Sequence, residues 1–173
     1  MVDWQANIRQ EPKEGDNVYI APSAAVVGRI DIGDLSSLWP NVSARGDVNW
    51  IRIGKRTNIQ DNSVLHVTYD VHPLSIGDDV TVGHGCILHG CTIKDRCLIG
   101  MGSVVLDGAV IGPDAMVGAG SVVKQGEIVP PGSLYLGVPA RFKRELSEEE
   151  MASIIESARE YAAFAQEYRR LSL

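Results

Sequence analysis

The chain has 173 residues, 45% of them hydrophobic, and a formal net charge of −6. That length and apolar share suit one domain with a sizeable buried core, and the acidic balance, with no cluster of Lys and Arg, gives no electrostatic footprint for nucleic acid. No apolar stretch approaches the ~20 residues of a membrane helix. The start, Met1-Val2-Asp3-Trp4-Gln5, lacks the charged and apolar regions of a signal peptide, so a cytoplasmic location with no membrane partner is expected.

Residues 1–19 read as a lead-in strand with turn formers at Pro12, Gly15 and Asp16. From residue 20 to residue 140 an aliphatic side chain recurs about every six positions: Ile20, Val26, Ile32, Leu38, then Ile53, Ile59, Val64, Ile76, Val82, Ile87, Ile93, Ile99, Val105, Ile111, Val117, Val123 and Val129. Four residues after many of these comes a small or β-branched one, among them Ser36, Thr57, Ser63, Cys86, Cys91, Cys97, Ser103, Ala109 and Ala115. A period of six is neither the 3.6 of an amphipathic helix nor the 2 of an alternating strand. It marks a parallel β-helix, an all-β prism in which short strands and turns wind round an axis filled by the recurring aliphatic. Prisms with this repeat wind left-handed, against the usual right-handed crossover rule. Gly follows many of the aliphatics, as in Ile76-Gly77 and Ile99-Gly100, and Gly or Asp takes the corners, where φ > 0 is needed.

Two stretches break the period: Val48-Asn49-Trp50-Ile51-Arg52, which lengthens one corner, and residues 69–75 with Pro73. The three cysteines, Cys86, Cys91 and Cys97, occupy the small inward slot and read as reduced, buried packing residues rather than a thiolate zinc site. After Pro139-Ala140 the period changes. Ser147-Glu148-Glu149-Glu150 has the capping-box arrangement, and Met151, Ile154, Ile155, Ala158, Tyr161, Ala162, Ala165 and Tyr168 follow helical spacing, so residues 141–173 are expected to hold a C-terminal helix packed on the prism.

His66, His84 and His89 sit in the repeat. With five-residue steps from Ile59 to Val64 and from Val82 to Ile87, each histidine falls two residues after its aliphatic and points outward near a corner. Three turns make a coil, so His66 and His84, eighteen residues apart in the sequence, are expected to stack on one face, about 5 Å apart, with His89 round the corner. One chain then does not gather all three, and a second prism would supply the missing ligand. Three imidazoles without a fourth protein ligand describe an open, catalytic metal position; zinc suits it, and Fe2+ or Co2+ is also accepted by imidazole. His72, beside Pro73, is off the repeat and reads as a loop residue.

Arg45-Gly46-Asp47, the run from Asn58 through Gln60 and Asp61 to His66, the stretch Val82-Gly83-His84-Gly85-Cys86-Ile87-Leu88-His89-Gly90-Cys91, and Gly137-Val138-Pro139-Ala140 together resemble the gamma-class carbonic anhydrase family, over nearly the whole chain. The resemblance implies a left-handed β-helix homotrimer in which zinc hydroxide hydrates carbon dioxide to bicarbonate. It implies zinc at each subunit interface, held by His66 and His89 of one chain and His84 of its neighbour. It also implies that Arg45 is an interface arginine pairing with Asp47 or Asp61, and that Gln60 and Asn58 are polar residues near the metal-bound water. Tyr161 on the terminal helix is a further candidate for the site, and Asp61 has either a site role or a corner-stabilising one.

The chain also departs from that family's pattern. Members with well-established activity carry proton-shuttling glutamates near the metal, whereas here Val48 follows Asp47 and the loop after His66 is the short Tyr69-Asp70-Val71-His72-Pro73-Leu74, in which Asp70 or His72 is the available substitute. Two other readings stay open: an acyl-CoA-dependent acyltransferase or thioesterase on the same prism, and a non-catalytic metal-binding assembly subunit.

Overall fold

A computed structural model describes residues 3–172. The chain forms a parallel β-helix whose rungs stack on three faces. One face is the column Tyr19–Ile20, Ser37–Leu38, Asn58–Ile59, Thr81–Val82, Leu98–Ile99, Met116–Val117 and Ser133–Gly137, seven parallel rungs in all, closed by the antiparallel strand Ala140–Glu145. The second and third faces are joined by the long strand Ser43–Ile53, which pairs with Val64–His66 through its first half and with Leu74–Ile76 through its second. Most rungs are only two or three residues long because the chain must turn about every six. The turns use left-handed backbone at positions such as Asn41 and Asn62 (both φ 61), where a short polar side chain tolerates that conformation.

The axis is filled as the repeat predicts at Ile59, Ile76, Val82, Ile93, Ile99, Val105, Ile111, Val117, Val123 and Val129, all buried. Cys86, Cys91 and Cys97 are buried free thiols in the same stack, and burial pushes the Cys91 and Cys97 thiols up to about 12, which keeps them unreactive packing groups. Two predicted core positions are wrong. Val64 and Ile87 are 39% and 43% exposed, and their successors Leu65 and Leu88 fill the axis at 0% exposure. The steps from Ile59 and from Val82 are therefore six residues, like the rest, and a five-residue step comes later, from Leu88 to Ile93.

Within residues 1–19 the chain makes a short helix, Trp4–Asn7, and a strand, Lys13–Glu14, which pairs in parallel with Asp31 and Ile32. The C-terminal helix Glu148–Leu171 opens with the capping box, Ser147 and Glu150 each satisfying the other's backbone N–H. Ile154 packs with Leu134 and Leu146, and Ala165 with Tyr19, Ala21 and Trp39. Tyr161 and Tyr168 stack edgewise on Trp39, with centroids 5.6 and 5.0 Å away. The helix thus covers the first face of the prism, passes the corner that carries His84 at Tyr161, and is tied near its end to Asn17 by Gln166 and Arg169. Among the described residues no helix is long and apolar enough to cross a membrane.

Candidate metal centre

Strand alternation decides which side chains leave the prism. In Val64-Leu65-His66 and Ile87-Leu88-His89 the leucine points in, so the residues on either side of it point out. The two strands pair in parallel with His66 opposite His89, 23 residues further on. The predicted stacking of His66 with His84 is therefore wrong. The coil that begins at His66 contains the extra residues 69–73, so the next rung arrives at His89 rather than eighteen residues on. His84 sits one corner earlier, at the end of the first face.

The paired histidines form the middle of a four-membered chain. His66 Nε2 lies 3.2 Å from Asp47 Oδ1, His66 Nδ1 lies 3.0 Å from His89 Nε2, and His89 Nδ1 lies 2.6 Å from Asp107 Oδ1. Arg45 closes one end with an ion pair to Asp47. An ionised carboxylate only accepts, so His66 donates from Nε2 and His89 from Nδ1, and each neutral ring has then spent its single N–H. The two nitrogens that face each other both present lone pairs. That contact repels unless a cation, a proton or a metal ion, lies against both. Burial pushes the His66 imidazole pKa down, against the hydrogen bond to Asp47 that raises it, which disfavours the proton. Two nitrogens bound at about 2.0–2.1 Å to a tetrahedral ion stand about 3.3 Å apart, close to the spacing between the rings. The donor set therefore fits a metal such as zinc.

His84 is built the same way but elsewhere. Its Nδ1 lies 3.0 Å from Asp61 Oδ2, leaving Nε2 free, and its side chain is 47% exposed. Gln60 and Tyr161 line a cavity of about 460 Å³ with His84, between the first face and the helix, alongside Leu98, Met101 and Met116. Asp61 and Tyr161 line an adjoining cleft with His84, Trp39, Phe164 and Tyr168. Asn58 lies beneath, buried; it donates to Thr81 Oγ1 at 2.9 Å and accepts from Gln60 Nε2 at 3.1 Å, so it holds the glutamine rather than lining the cavity. Among the described residues no three His, Cys, Asp or Glu side chains converge well enough to hold a metal ion.

The family model for six-repeat bacterial transferase hexapeptide proteins matches residues 73–107 and 90–125. The chain is 52% identical over 163 residues to Protein YrdA of Escherichia coli, covering 91% of this chain and 89% of that one. It is 47% identical over 160 residues to a carbonic anhydrase of Geobacillus kaustophilus, covering 92% and 87%. It is 48% identical over 153 residues to the mitochondrial gamma carbonic anhydrase 1 of Arabidopsis thaliana, covering 86% of this chain and 56% of that longer protein. The chain belongs to the gamma carbonic anhydrase family of hexapeptide-repeat proteins.

Against that family's pattern, the candidate residues fall into two groups. His66, His89, Arg45 and Asp47 lie together on the edge between the second and third faces. His84, Asp61, Gln60 and Tyr161 lie at the other end of the second face. Sequence reading missed Asp107, although counting along the repeat offered a signal: it stands 18 residues after His89, at the corresponding corner of the next coil. In this gamma carbonic anhydrase relative each of the three histidines has its own aspartate, and with Asp107 the set is complete.

Proposed function

We propose that the protein is a metal-dependent carbonic anhydrase of the gamma class, working as a homotrimer in which His66 and His89 of one subunit and His84 of the partner subunit share a zinc ion. The observation that carries this reading is the His66–His89 contact, two lone-pair nitrogens 3.0 Å apart with their other nitrogens committed to carboxylates. Placement supports the seam. Val64 and Ile87 point out of the same strands as the two histidines and are in register with Val104 and Val122, so the ligand pair stands beside an outward apolar row suited to a second prism. Seen from the other side, the half-exposed His84 lacks neighbours that a partner's His66 and His89 would supply. Arg45, one rung below His66, would then stand level with Asp61 of the partner subunit.

Held by His66, His89 and the partner subunit's His84, a zinc ion would supply hydroxide at neutral pH, lowering the pKa of water to about 7, a magnitude for which carbonic anhydrase is the standard example. The chain's own groups do the rest. Asp47, Asp61 and Asp107 fix the ring tautomers so that the ligand nitrogens stay unprotonated. Gln60, held by Asn58, offers an amide at the cavity beside His84, where it orients water and carbon dioxide. The cavity's apolar wall of Leu98, Met101 and Met116 receives the neutral substrate. No glutamate stands next to Asp47, so proton release falls to Asp70, His72 or buffer, and turnover is expected to respond to buffer concentration.

The test is metal analysis of purified protein combined with two assays on one sample. About one zinc, iron or cobalt per chain is expected, lost in His84→Ala without loss of fold, together with carbon dioxide hydration by stopped flow. Absence of all three metals from carefully prepared protein overturns the site. Hydrolysis or transfer of acyl-CoA without hydration would favour the second use of this prism, an acyl-CoA enzyme whose acyl chain lies in the cavity beside His84. Metal without either activity would leave a metal-binding assembly subunit.

A further inference from the structure

The loop that lengthens the coil after His66 is pinned at several points. Asn49 Nδ2 donates to the Thr68 carbonyl at 3.2 Å, Thr68 N–H donates to the His72 carbonyl at 2.9 Å, and Asp70 N–H donates to the Val48 carbonyl at 3.3 Å. So held, the loop places His72 against Gly90 and Gly108, corner residues of the next two coils. A Cβ placed on Gly108 would stand 3.2 Å from His72 Cε1. One placed on Gly90 would stand 2.8 Å from His72 Cβ and 2.3 Å from Asp107 Oδ1. The space above Gly90, kept open by the missing side chain, is shared by His72 and the Asp107 carboxylate. That same Oδ1 takes the Nδ1–H of His89 at 2.6 Å, the shortest of the three histidine–aspartate contacts.

We propose that Asp107 is the positioning residue for His89, and that His72, seated across Gly90 and Gly108, is the wall that keeps the Asp107 carboxylate aimed at the ring. The proposal deepens the metal-site reading and rests on it for His89's role as a ligand. It also accounts for the residues inserted at 69–73. An ordinary coil would close without them, and with them the His72 side chain reaches Gly90, over which the Asp107 carboxylate also lies. Asp107 acts through His89 and touches neither metal nor substrate. Its charge strengthens the ligand nitrogen and its hydrogen bond fixes the tautomer.

Three full-length variants test this: Asp107→Asn, which keeps an acceptor and removes the charge, Asp107→Ala, which removes both, and His72→Ala. Zinc affinity is read by chelator competition, alongside the melting temperature of the metal-free protein and the nitrogen-15 imidazole shifts of His89 without metal. Asp107→Ala is expected to weaken zinc binding by about 10–100-fold, with Asp107→Asn less affected and His72→Ala weakened in the same direction by less again. In metal-free wild type His89 is expected in the Nδ1–H form, and in Asp107→Ala as a mixture of tautomers, with melting temperatures nearly unchanged. An affinity and a tautomer indifferent to Asp107→Ala overturn the proposal. So does a fall in metal-free melting temperature large enough to account for the lost affinity. If wild type binds no metal, the metal reading fails by itself, and the tautomer spectra still decide whether Asp107 and His72 hold the ring.

Discussion

Three aspartates set the state of three histidines. Asp47, Asp61 and Asp107 each take one ring N–H, from His66, His84 and His89 in turn, and so dictate which nitrogen of each ring is left with a lone pair. Burial raises the carboxyl pKa of Asp47 and Asp107, but the hydrogen bonds made to them outweigh it and leave both below the ordinary carboxylate range; Arg45 and His66 serve Asp47, and His89 serves Asp107. Burial also leaves His66 below the usual imidazole value. A group whose pKa falls on folding takes up its proton first in the unfolded chain, so each adds stability above its unfolded pKa and loses it as pH falls through the folded one. For His66 the loss begins near pH 6.5, and for the aspartates near pH 4. Urea midpoints of the metal-free protein are expected to fall from pH 7 to pH 3, and Asp47→Asn is expected to flatten the part below about pH 4. An unchanged slope in the variant would show that the Arg45–Asp47–His66 contacts contribute nothing to the folded state. The three histidines were legible as candidates because a repeat places them on outward corners. Asp107 was overlooked, because only a count of residues along a full coil, and nothing local, ties it to His89.

At the scale of the element, strand phase matters most. A shift of one residue exchanges the inside and outside of a rung. Both Val64-Leu65-His66 and Ile87-Leu88-His89 offer two adjacent aliphatics, so the repeat alone permitted either phase, and the structure buries the leucine. Leu88 is wholly enclosed, and Leu88→Ala is expected to cost about 2–5 kcal/mol in urea unfolding. A cost below about 1 kcal/mol would mean that the rung can slip. The helix was easier to read. Its capping box and its 3.6-residue apolar stripe are local features, and Ser147, Ile154, Ala158 and Ala165 take the expected places. Its contribution to the site, Tyr161 beside His84, depends on the helix crossing the first face at one angle, which the edgewise stack on Trp39 sets.

At the scale of the whole molecule, one chain carries two clusters of candidate residues at opposite ends of its second face. The face between them is apolar at Val64 and Ile87, both exposed and continued in register by Val104 and Val122. Sedimentation of wild type is expected to give a trimer, and Ile87→Asp a monomer that keeps its far-UV dichroism and loses its metal. A monomeric variant that retains metal would show that the site is complete within one chain. The six-residue period, the turns at its corners and the capped helix were determined by sequence alone, because each depends on residues within one rung or one helical turn. Which histidines face one another was decided only by the tertiary structure. Rungs become neighbours through the total number of residues in a coil, and that total depends on whether residues 69–73 are spent along the strand or lifted off at the corner. They are lifted off, so His66 meets His89, His84 stands apart from both, and His72 comes to rest over Gly90 beside Asp107.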